Sequence, residues 1–367
     1  MINISKPVLD DAEVNAVIGV LRSGMLAQGE KVKELEKRVA DFCRVKHAVA
    51  VNSGTAALHT ALYSMDINSG DEVITSPFTF VASANSILMQ GGKVVFADVS
   101  ENDSNIDPNC IEKKITKRTK CILPIDLYGQ IYDYDKVKIL ADKYGIKILE
   151  DACQSIGAEQ DSKMAGTFGD AAAFSLYATK TITCGEGGIV TTDSLEIADK
   201  CRMFRHHGQS EQTRYEYWDI GYNYRLTDIQ AAIALAQMDK INLFLDKRNS
   251  NAASFNNAFS GITGLIVPIA KPGNRHGYHQ YTLRITNKFK SSREDFVEHL
   301  NGKGIRCGIY YPKPLHLHKH FTKMGYCAGD FPVAEKLSKE VVSLPIHPAL
   351  SSDDVNFIIK TIVNYAR

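Results

Sequence analysis

From about residue 46 onward, short β-branched runs alternate with longer stretches whose apolar residues recur at helical spacing. Gly or Asp residues bound the short runs, as is typical of strand ends. Alternation of this kind predicts a mostly parallel sheet with helices on both of its faces. We expect strands over residues 47–52, 72–76, 93–98, 120–124, 147–150, 171–175 and 188–192. We expect helices over residues 54–65, 79–89 and 133–144.

The pattern changes in the second half of the chain. Residues 227–245 repeat apolar positions at helical spacing, which predicts one long helix. Beyond about residue 250, the sequence predicts a strand over 281–286 and helices over 292–303 and 333–342. We therefore predict an α/β protein in which a mostly parallel mixed sheet lies between helices, followed by a smaller α+β domain. The predicted domains are residues 1–245 and 246–367.

The charge balance is nearly even, with 43 Lys and Arg residues against 42 Asp and Glu residues. The resulting net charge of +1 gives no field that would attract nucleic acid or an anionic membrane surface. No apolar run approaches the roughly 18 residues that a membrane-spanning helix needs. The eight cysteines form no C-x-x-C pair, which is typical of free thiols in a reducing compartment. We therefore expect a cytoplasmic protein without nucleic-acid or membrane partners.

Residues that follow the strands are the most informative, because ligands of an open α/β sheet bind beyond the carboxyl ends of its strands. Residues 52–58, NSGTAAL, lead from a predicted strand into a helix. The N–H groups and the dipole at that helix N-terminus favour an anion, although plain helix capping is the commoner role of such a motif. The chain has no G-x-G-x-x-G motif after a strand and no P-loop, which argues against a dinucleotide dehydrogenase and an NTPase.

Two further strand ends carry an acid and a lysine. Asp151 and Glu150 compete for the position at the crevice after the 147–150 strand. Lys180 follows the 171–175 strand and is closed off by a glycine-rich turn, and burial would make its amine a Schiff-base candidate. An anion cup, a Schiff-base lysine and an acid for a pyridine nitrogen are what pyridoxal phosphate requires. Phe80, after another strand, is a candidate to stack on the ring.

The motifs and their order resemble the DegT/DnrJ/EryC1/StrS family of sugar aminotransferases, which are fold-type I pyridoxal-phosphate enzymes. The resemblance covers nearly the whole chain. It rests on the motifs SGMLAQG, NSGTAAL, GDEVITSPFTFVASAN, FADVSENDSNIDP, PIDLYGQ, ILEDACQSIGA, FSLYATKTITCGEGG, FRHHGQ, GYNYRLTDIQAAI, YPKPLH and LPIHP. It implies a fold-type I aminotransferase with pyridoxal 5′-phosphate as its cofactor.

The resemblance also implies roles for individual residues. Lys180 would form the internal aldimine and move protons, and Asp151 would partner the pyridine nitrogen. The other implied cofactor contacts are a backbone phosphate cup at Gly54, Thr55 and Ala56, the phosphate ligand Ser175, Gln154 beside the phenolic oxygen, and Phe80 on the ring face. Asn223 would reach the phosphate from a neighbouring subunit, which implies a homodimer with shared sites.

The implied reaction moves an amino group from L-glutamate to a keto group of a nucleotide-linked keto-deoxysugar in amino-sugar biosynthesis. The motif over residues 180–188, KTITCGEGG, resembles members that aminate carbon 4. Amination of a cyclitol or of a 3-keto sugar, and a non-catalytic regulator that binds the cofactor, stay open as alternatives. The weaker substrate contacts that the resemblance implies are His207, Tyr311 and His316. His279 stays open between substrate contact and core packing, and we expect no metal site.

Overall fold

The computed structural model describes residues 1–210, 213, 215–271 and 273–367. Its strands, in chain order, are β1 His47–Val51, β2 Glu72–Thr75, β3 Lys93–Phe96, β4 Thr119–Leu123, β5 Lys147–Asp151, β6 Glu159–Gln160, β7 Lys163–Met164, β8 Ala171–Ser175, β9 Gly188–Thr192, β10 Leu265–Ile266, β11 Tyr281–Ile285 and β12 Val341–Leu344. Its α-helices are α1 Asp11–Ser23, α2 Glu30–Cys43, α3 Gly54–Ser64, α4 Val81–Met89, α5 Pro108–Glu112, α6 Tyr134–Tyr144, α7 Leu195–Arg205, α8 Asp228–Met238, α9 Ile241–Phe259, α10 Arg293–Gly302, α11 Lys319–Thr322, α12 Pro332–Glu340 and α13 Ser352–Ala366.

The central sheet has seven strands in the order β1–β9–β8–β5–β4–β2–β3. Strand β9 pairs antiparallel with both of its neighbours, and the other pairs are parallel. The predicted mostly parallel mixed sheet is thereby confirmed. Parallel strands end at a common edge, so the residues after β5 and β8 meet there, as the sequence predicts.

Helices cover both faces of the sheet because successive strand residues point to opposite sides. On β1, Ala48 and Ala50 belong to one buried cluster, together with apolar residues of α2, α6 and α8. Val49 and Val51 belong to a second buried cluster, together with residues of α3, α4 and α7. Both faces of the strand are therefore apolar, as in other sheets that are buried on two sides.

The C-terminal part builds a smaller α+β unit. Its three-stranded antiparallel sheet has the order β10–β11–β12, and a buried cluster packs α9, α10 and α13 against it. The N-terminus joins this unit, since Ile2 forms a parallel bridge with Ile305. No helix in the described residues is both long and apolar enough to cross a membrane.

One predicted element is wrong, and another ends two residues earlier than predicted. The single helix predicted over residues 227–245 is two helices, α8 and α9, which separate at Asp239 and Lys240, where the Lys240 ammonium pairs with Asp10 and Glu13. The helix predicted over 333–342 ends at Glu340, and the chain enters β12 directly. The predicted domain limit at residue 245 stays a prediction; α9 runs through it.

Candidate active site

A cavity of about 560 Å³ lies at the carboxyl ends of β5 and β8 and reaches the C-terminal unit at β12. Its volume falls in the range of small-molecule sites. The predicted site residues that line it are Gly54, Thr55, Phe80, Asp151, Gln154, Ser175, Lys180 and Tyr311. Chain topology thus brings residues 54 and 311 into one site.

Asp151, the last residue of β5, presents its carboxylate to the cavity. Ser83 Oγ donates a hydrogen bond to Oδ2 at 2.6 Å, and the Cys153 N–H donates to Oδ1 at 3.2 Å. The side chain is 4% exposed. Two donors on opposite oxygens fix the orientation of a buried carboxylate, which suits it to hold a cation or a protonated ring nitrogen.

Glu150, the competing acid, serves a different purpose. Its carboxylate accepts hydrogen bonds from the N–H groups of Gly166 and Phe168, both at 2.9 Å. Burial, together with the neighbouring charge of Glu150, raises the pKa of Asp126 well above its usual range. Burial also raises the pKa of Glu150, to about 7. Asp126 and Glu150 therefore form a buried carboxyl pair beneath the site. Asp151 is the acid that lines the cavity.

Lys180 lies in the loop between β8 and β9, and its backbone N–H donates to the Tyr177 carbonyl at 2.9 Å. Burial lowers the pKa of its amine, while the neighbouring Cys153 and Asp151 oppose that shift. Within the described residues, no carboxylate forms an ion pair with its Nζ. The neutral amine is the form that attacks a carbonyl, so this environment favours a nucleophilic lysine.

The predicted anion cup lies at the N-terminus of α3, where one of its three N–H groups is already bonded. Ser53 caps the helix, and its Oγ accepts the Ala56 N–H at 3.1 Å. Ala56 therefore has no free N–H to offer an anion, whereas those of Gly54 and Thr55 have no acceptor among the described residues. A Cβ on Gly54 would lie 2.7 Å from Ser175 Cβ and 3.0 Å from its Oγ, so the cup is open only because residue 54 is glycine.

The aromatic wall of the cavity suits a flat ring. Phe80 is 56% exposed and its ring lies 6.4 Å from that of Tyr311, centroid to centroid. Gln154 is fixed beside them, because its Oε1 accepts the Tyr128 N–H at 2.9 Å. An anion cup, a buried acid, a lysine and an exposed aromatic face together fit pyridoxal phosphate.

Four predicted residues do not line this cavity: Ala56, Asn223, His207 and His316. Asn223 is exposed and pairs through its backbone with His206. His207 is exposed in the same region. His316, predicted at the substrate pocket, is fully buried instead, with Nε2 3.1 Å from a Glu335 oxygen, because α11 and α12 enclose its loop.

Sequence reasoning missed several lining residues, among them Ser83, Arg248 and His347. Ser83 lies within the motif that identified Phe80, so its closeness to the site was recoverable. Arg248 lies on a helix, where a charged residue is usually solvated, and only the tertiary fold buries it.

The fold and the site together define a fold-type I aminotransferase. The family model "DegT/DnrJ/EryC1/StrS aminotransferase family" matches residues 7–363, and the chain belongs to this family. The spore coat polysaccharide biosynthesis protein SpsC of Bacillus subtilis is 39% identical, with 98% of this chain and 95% of SpsC covered. GDP-perosamine synthase of Caulobacter vibrioides is 34% identical, with 98% and 96% covered.

A solved structure confirms the fold. It is that of the putative sugar aminotransferase Spr1654 from Streptococcus pneumoniae in its PLP form, with a TM-score of 0.94 and 28% identity. The similarity covers 100% of this chain and 98% of that one. The prediction of a fold-type I aminotransferase from the sequence is thereby confirmed.

Proposed function

We propose that this enzyme binds pyridoxal 5′-phosphate and moves an amino group from L-glutamate to a keto group of a nucleotide-linked keto-deoxysugar. The observation that carries the proposal is that Lys180, Asp151 and the cup at Gly54 share one cavity. Relatives named as acting in nucleotide-sugar and polysaccharide chemistry support the substrate class. The free cysteines of the chain support a role in amino-sugar biosynthesis in the cytoplasm.

Each cofactor contact has a physical reason. The free N–H groups of Gly54 and Thr55, with the hydroxyl of Ser175, would hold the phosphate at the positive end of the α3 dipole. Asp151 would keep a proton on the pyridine nitrogen, and Phe80 would cover one ring face. Gln154 would lie beside the phenolic oxygen. When bound, the cofactor supplies an electron sink for the carbanion formed at the substrate.

Lys180 is the group that would move the proton. Its amine would first hold the cofactor covalently and, once released by the donor, would take the proton from the donor's α-carbon. The lowered pKa of the amine keeps a neutral fraction available for this step. In the second half of the reaction, the same amine would return a proton to the sugar carbon.

We place the amination at carbon 4 of the sugar because of the motif KTITCGEGG over residues 180–188. In the structure this segment runs from Lys180 to the first residue of β9, and Glu186 lines the cavity. Amination at carbon 3, or of a cyclitol, is the competing outcome. Tyr311 is the predicted substrate contact that lines the cavity.

Replacing the lysine tests the proposal. Lys180→Ala should lower turnover by more than about 10³-fold, because both the covalent attachment and the proton carrier are lost. The fold, followed by circular dichroism, should be unchanged. Lys138→Ala, which removes an exposed lysine paired with Asp142, is the matched control and should keep full activity.

The acceptor is identified by mass spectrometry of the products. The wild-type enzyme, supplied with L-glutamate, should aminate a nucleotide-linked 4-keto sugar faster than a 3-keto sugar or a keto-cyclitol. Faster amination of the 3-keto sugar or of the keto-cyclitol would contradict the proposed acceptor. Full activity of Lys180→Ala would contradict the mechanism itself.

A further inference from the structure

One wall of the cavity carries polar atoms without hydrogen-bond partners. We call it the polar wall; its residues are Arg248, His279, Gln280 and His347. Each has one buried side-chain atom that finds no partner among the described residues: Nε of Arg248, Nδ1 of His279, Oε1 of Gln280 and Nδ1 of His347. An unpaired buried polar atom is costly, and here four of them belong to residues that line one cavity. This wall therefore offers hydrogen-bonding groups that a ligand in the cavity would use.

Arg248 is the charged member of the polar wall and is 3% exposed. Its two hydrogen bonds among the described residues both use Nη1, which donates to the carbonyls of Tyr278 at 2.9 Å and His279 at 3.3 Å. No carboxylate among the residues that the structure describes forms an ion pair with Arg248. Arg205, buried to the same degree, is instead held by Glu36. A buried guanidinium without an anion is expensive, since the charge is desolvated and uncompensated.

The charges around Arg248 add to this demand for an anion. Lys180 lines the same cavity and also borders, with Arg248, a small adjoining void. Burial, with the positive charges of Lys180 and Arg248, lowers the pKa of His279 well below its usual range. A neutral His279 offers one N–H as a donor. Asp151, the nearby acid, already accepts from Ser83 and Cys153.

The position of this wall selects the kind of anion. In an α-amino acid, the carboxylate is bonded directly to the carbon that reacts, so it must lie close to Lys180. The diphosphate of a nucleotide sugar is separated from the reacting ring carbon by several bonds. An anion site beside Lys180 therefore fits a carboxylate better than a phosphate.

We propose that Arg248 and His279 bind the α-carboxylate of the amino donor. The inference rests on the proposed function, because it assumes an α-amino acid as donor. The guanidinium of Arg248 and the N–H of His279 would donate to the carboxylate oxygens, a charge-assisted arrangement that fixes the donor's α-carbon near Lys180. The sugar must enter the same cavity, and its hydroxyl groups would use the acceptors of Gln280 and His347.

Arg248→Gln in the cofactor-loaded enzyme tests this assignment. Two measurements are compared with wild type: calorimetric affinity for glutarate, which cannot react, and the glutamate dependence of the visible-band change in a single turnover. Loss of a charged hydrogen-bonding partner predicts that both weaken by about ten- to a hundredfold. The control is Arg293→Gln, which removes another arginine that donates to a backbone carbonyl but does not line the cavity.

The outcomes separate this inference from the proposed function. Wild-type affinity for glutarate in Arg248→Gln overturns the inference, and so does displacement of glutarate by inorganic phosphate at equal concentration. If Arg248→Gln does not hold the cofactor, the same measurements are made on Arg248→Lys. A single ammonium group cannot bond both backbone carbonyls and an anion at once. The same weakening is then expected, and unchanged affinity overturns the inference. If the wild type binds glutarate through Arg248 but ignores glutamate, the carboxylate site stands and the proposed donor fails.

Discussion

Among single residues, Gly54 tests the anion cup most directly. Gly54→Ala would place a Cβ 2.7 Å from Ser175 Cβ, so the cup must widen or Ser175 must move. We expect the dissociation constant of pyridoxal phosphate, measured by absorbance titration, to rise at least tenfold, which corresponds to about 1.4 kcal/mol.

The matched control for this change is Gly19→Ala, in the middle of α1. A Cβ there meets nothing within 4 Å. Alanine in place of a helical glycine should raise the free energy of unfolding by about 0.5–1 kcal/mol. Cofactor affinity should be unchanged. An unaltered dissociation constant in Gly54→Ala would show that the phosphate does not bind at this helix N-terminus.

The carboxyl pair of Asp126 and Glu150 predicts a pH dependence of stability. Both pKa values are raised in the folded state, that of Glu150 to about 7, against about 4.3 for an unfolded glutamate. A raised pKa means that the folded state binds more protons, so stability must fall as the pH rises from about 4.3 through 7. The thermal midpoint of the wild type should therefore decrease between about pH 5 and pH 8.

Asp126→Asn should flatten this profile, because an amide keeps the shape of a protonated carboxyl and can still donate to Glu150. Ser155 Oγ, which donates to Asp126 at 2.6 Å, can rotate to accept instead. Asp135→Asn, an exposed change of the same chemistry, should keep the wild-type profile. An equally steep profile in Asp126→Asn would mean that the pair does not hold the proton.

Residues that follow strands were predictable, and residues buried by distant packing were not. Asp151 ends β5 and Lys180 follows β8, and the topology of an α/β sheet assigns such positions to the site. The strand pattern by itself left Glu150 and Asp151 competing, and the family resemblance favoured Asp151. The structure shows the physical difference, because adjacent strand residues point to opposite faces. Arg248 could not be foreseen, since its burial depends on contacts with residues 278 and 279.

Among the elements, α2 depends on a cap from another helix. Gly29 precedes α2 and has no side chain to cap it, and the carboxylate of Asp228, the first residue of α8, takes that place. It accepts the N–H groups of Gly29 at 2.8 Å, Lys31 at 3.2 Å and Val32 at 3.0 Å. One buried acid therefore joins the two helices.

Asp228→Ala should lower the free energy of unfolding by about 2–4 kcal/mol, because three helix N–H groups lose their acceptor. Thermal denaturation measures the change. Asp239→Ala, which breaks an exposed ion pair with Arg38, should cost at most about 1 kcal/mol. Equal effects of the two substitutions would show that the buried cap does not stabilise α2.

Element boundaries in the C-terminal part were the least predictable. No Gly or Pro separates α12 from β12, since Glu340 is followed directly by Val341, and the sequence pattern therefore extends the helix. The break between α8 and α9 has no sequence punctuation either. It coincides with Lys240, whose partners Asp10 and Glu13 lie far away in the chain.

On the scale of the whole molecule, the segment before Asn223 supports the homodimer that the family resemblance implies. Its large apolar side chains are exposed, with Trp218 at 68% and Ile220 at 75%. Exposed apolar residues in such a cluster are typical of a protein interface. Asn223 is exposed and does not line the cavity of its own chain, so it is free to reach the phosphate of a second copy.

If each active site takes residues from both subunits, two inactive variants should restore activity when they are combined in one dimer. Lys180→Ala and Asn223→Ala, co-expressed with different tags, should form mixed dimers in which one site has both residues intact. Random assembly makes half of the dimers mixed, so activity should recover to about a quarter of wild type. Light scattering verifies that the mixture is dimeric, and no recovery in confirmed mixed dimers would mean that each site is built by one chain.

The most direct test of the central claim is the absorbance spectrum of the purified protein with pyridoxal phosphate, before and after addition of L-glutamate. We predict a visible band that depends on Lys180, and its loss with release of one 2-oxoglutarate per site. A band that forms but ignores glutamate would contradict the proposed donor. The absence of any band would contradict the assignment of Lys180 and, with it, the account of the site.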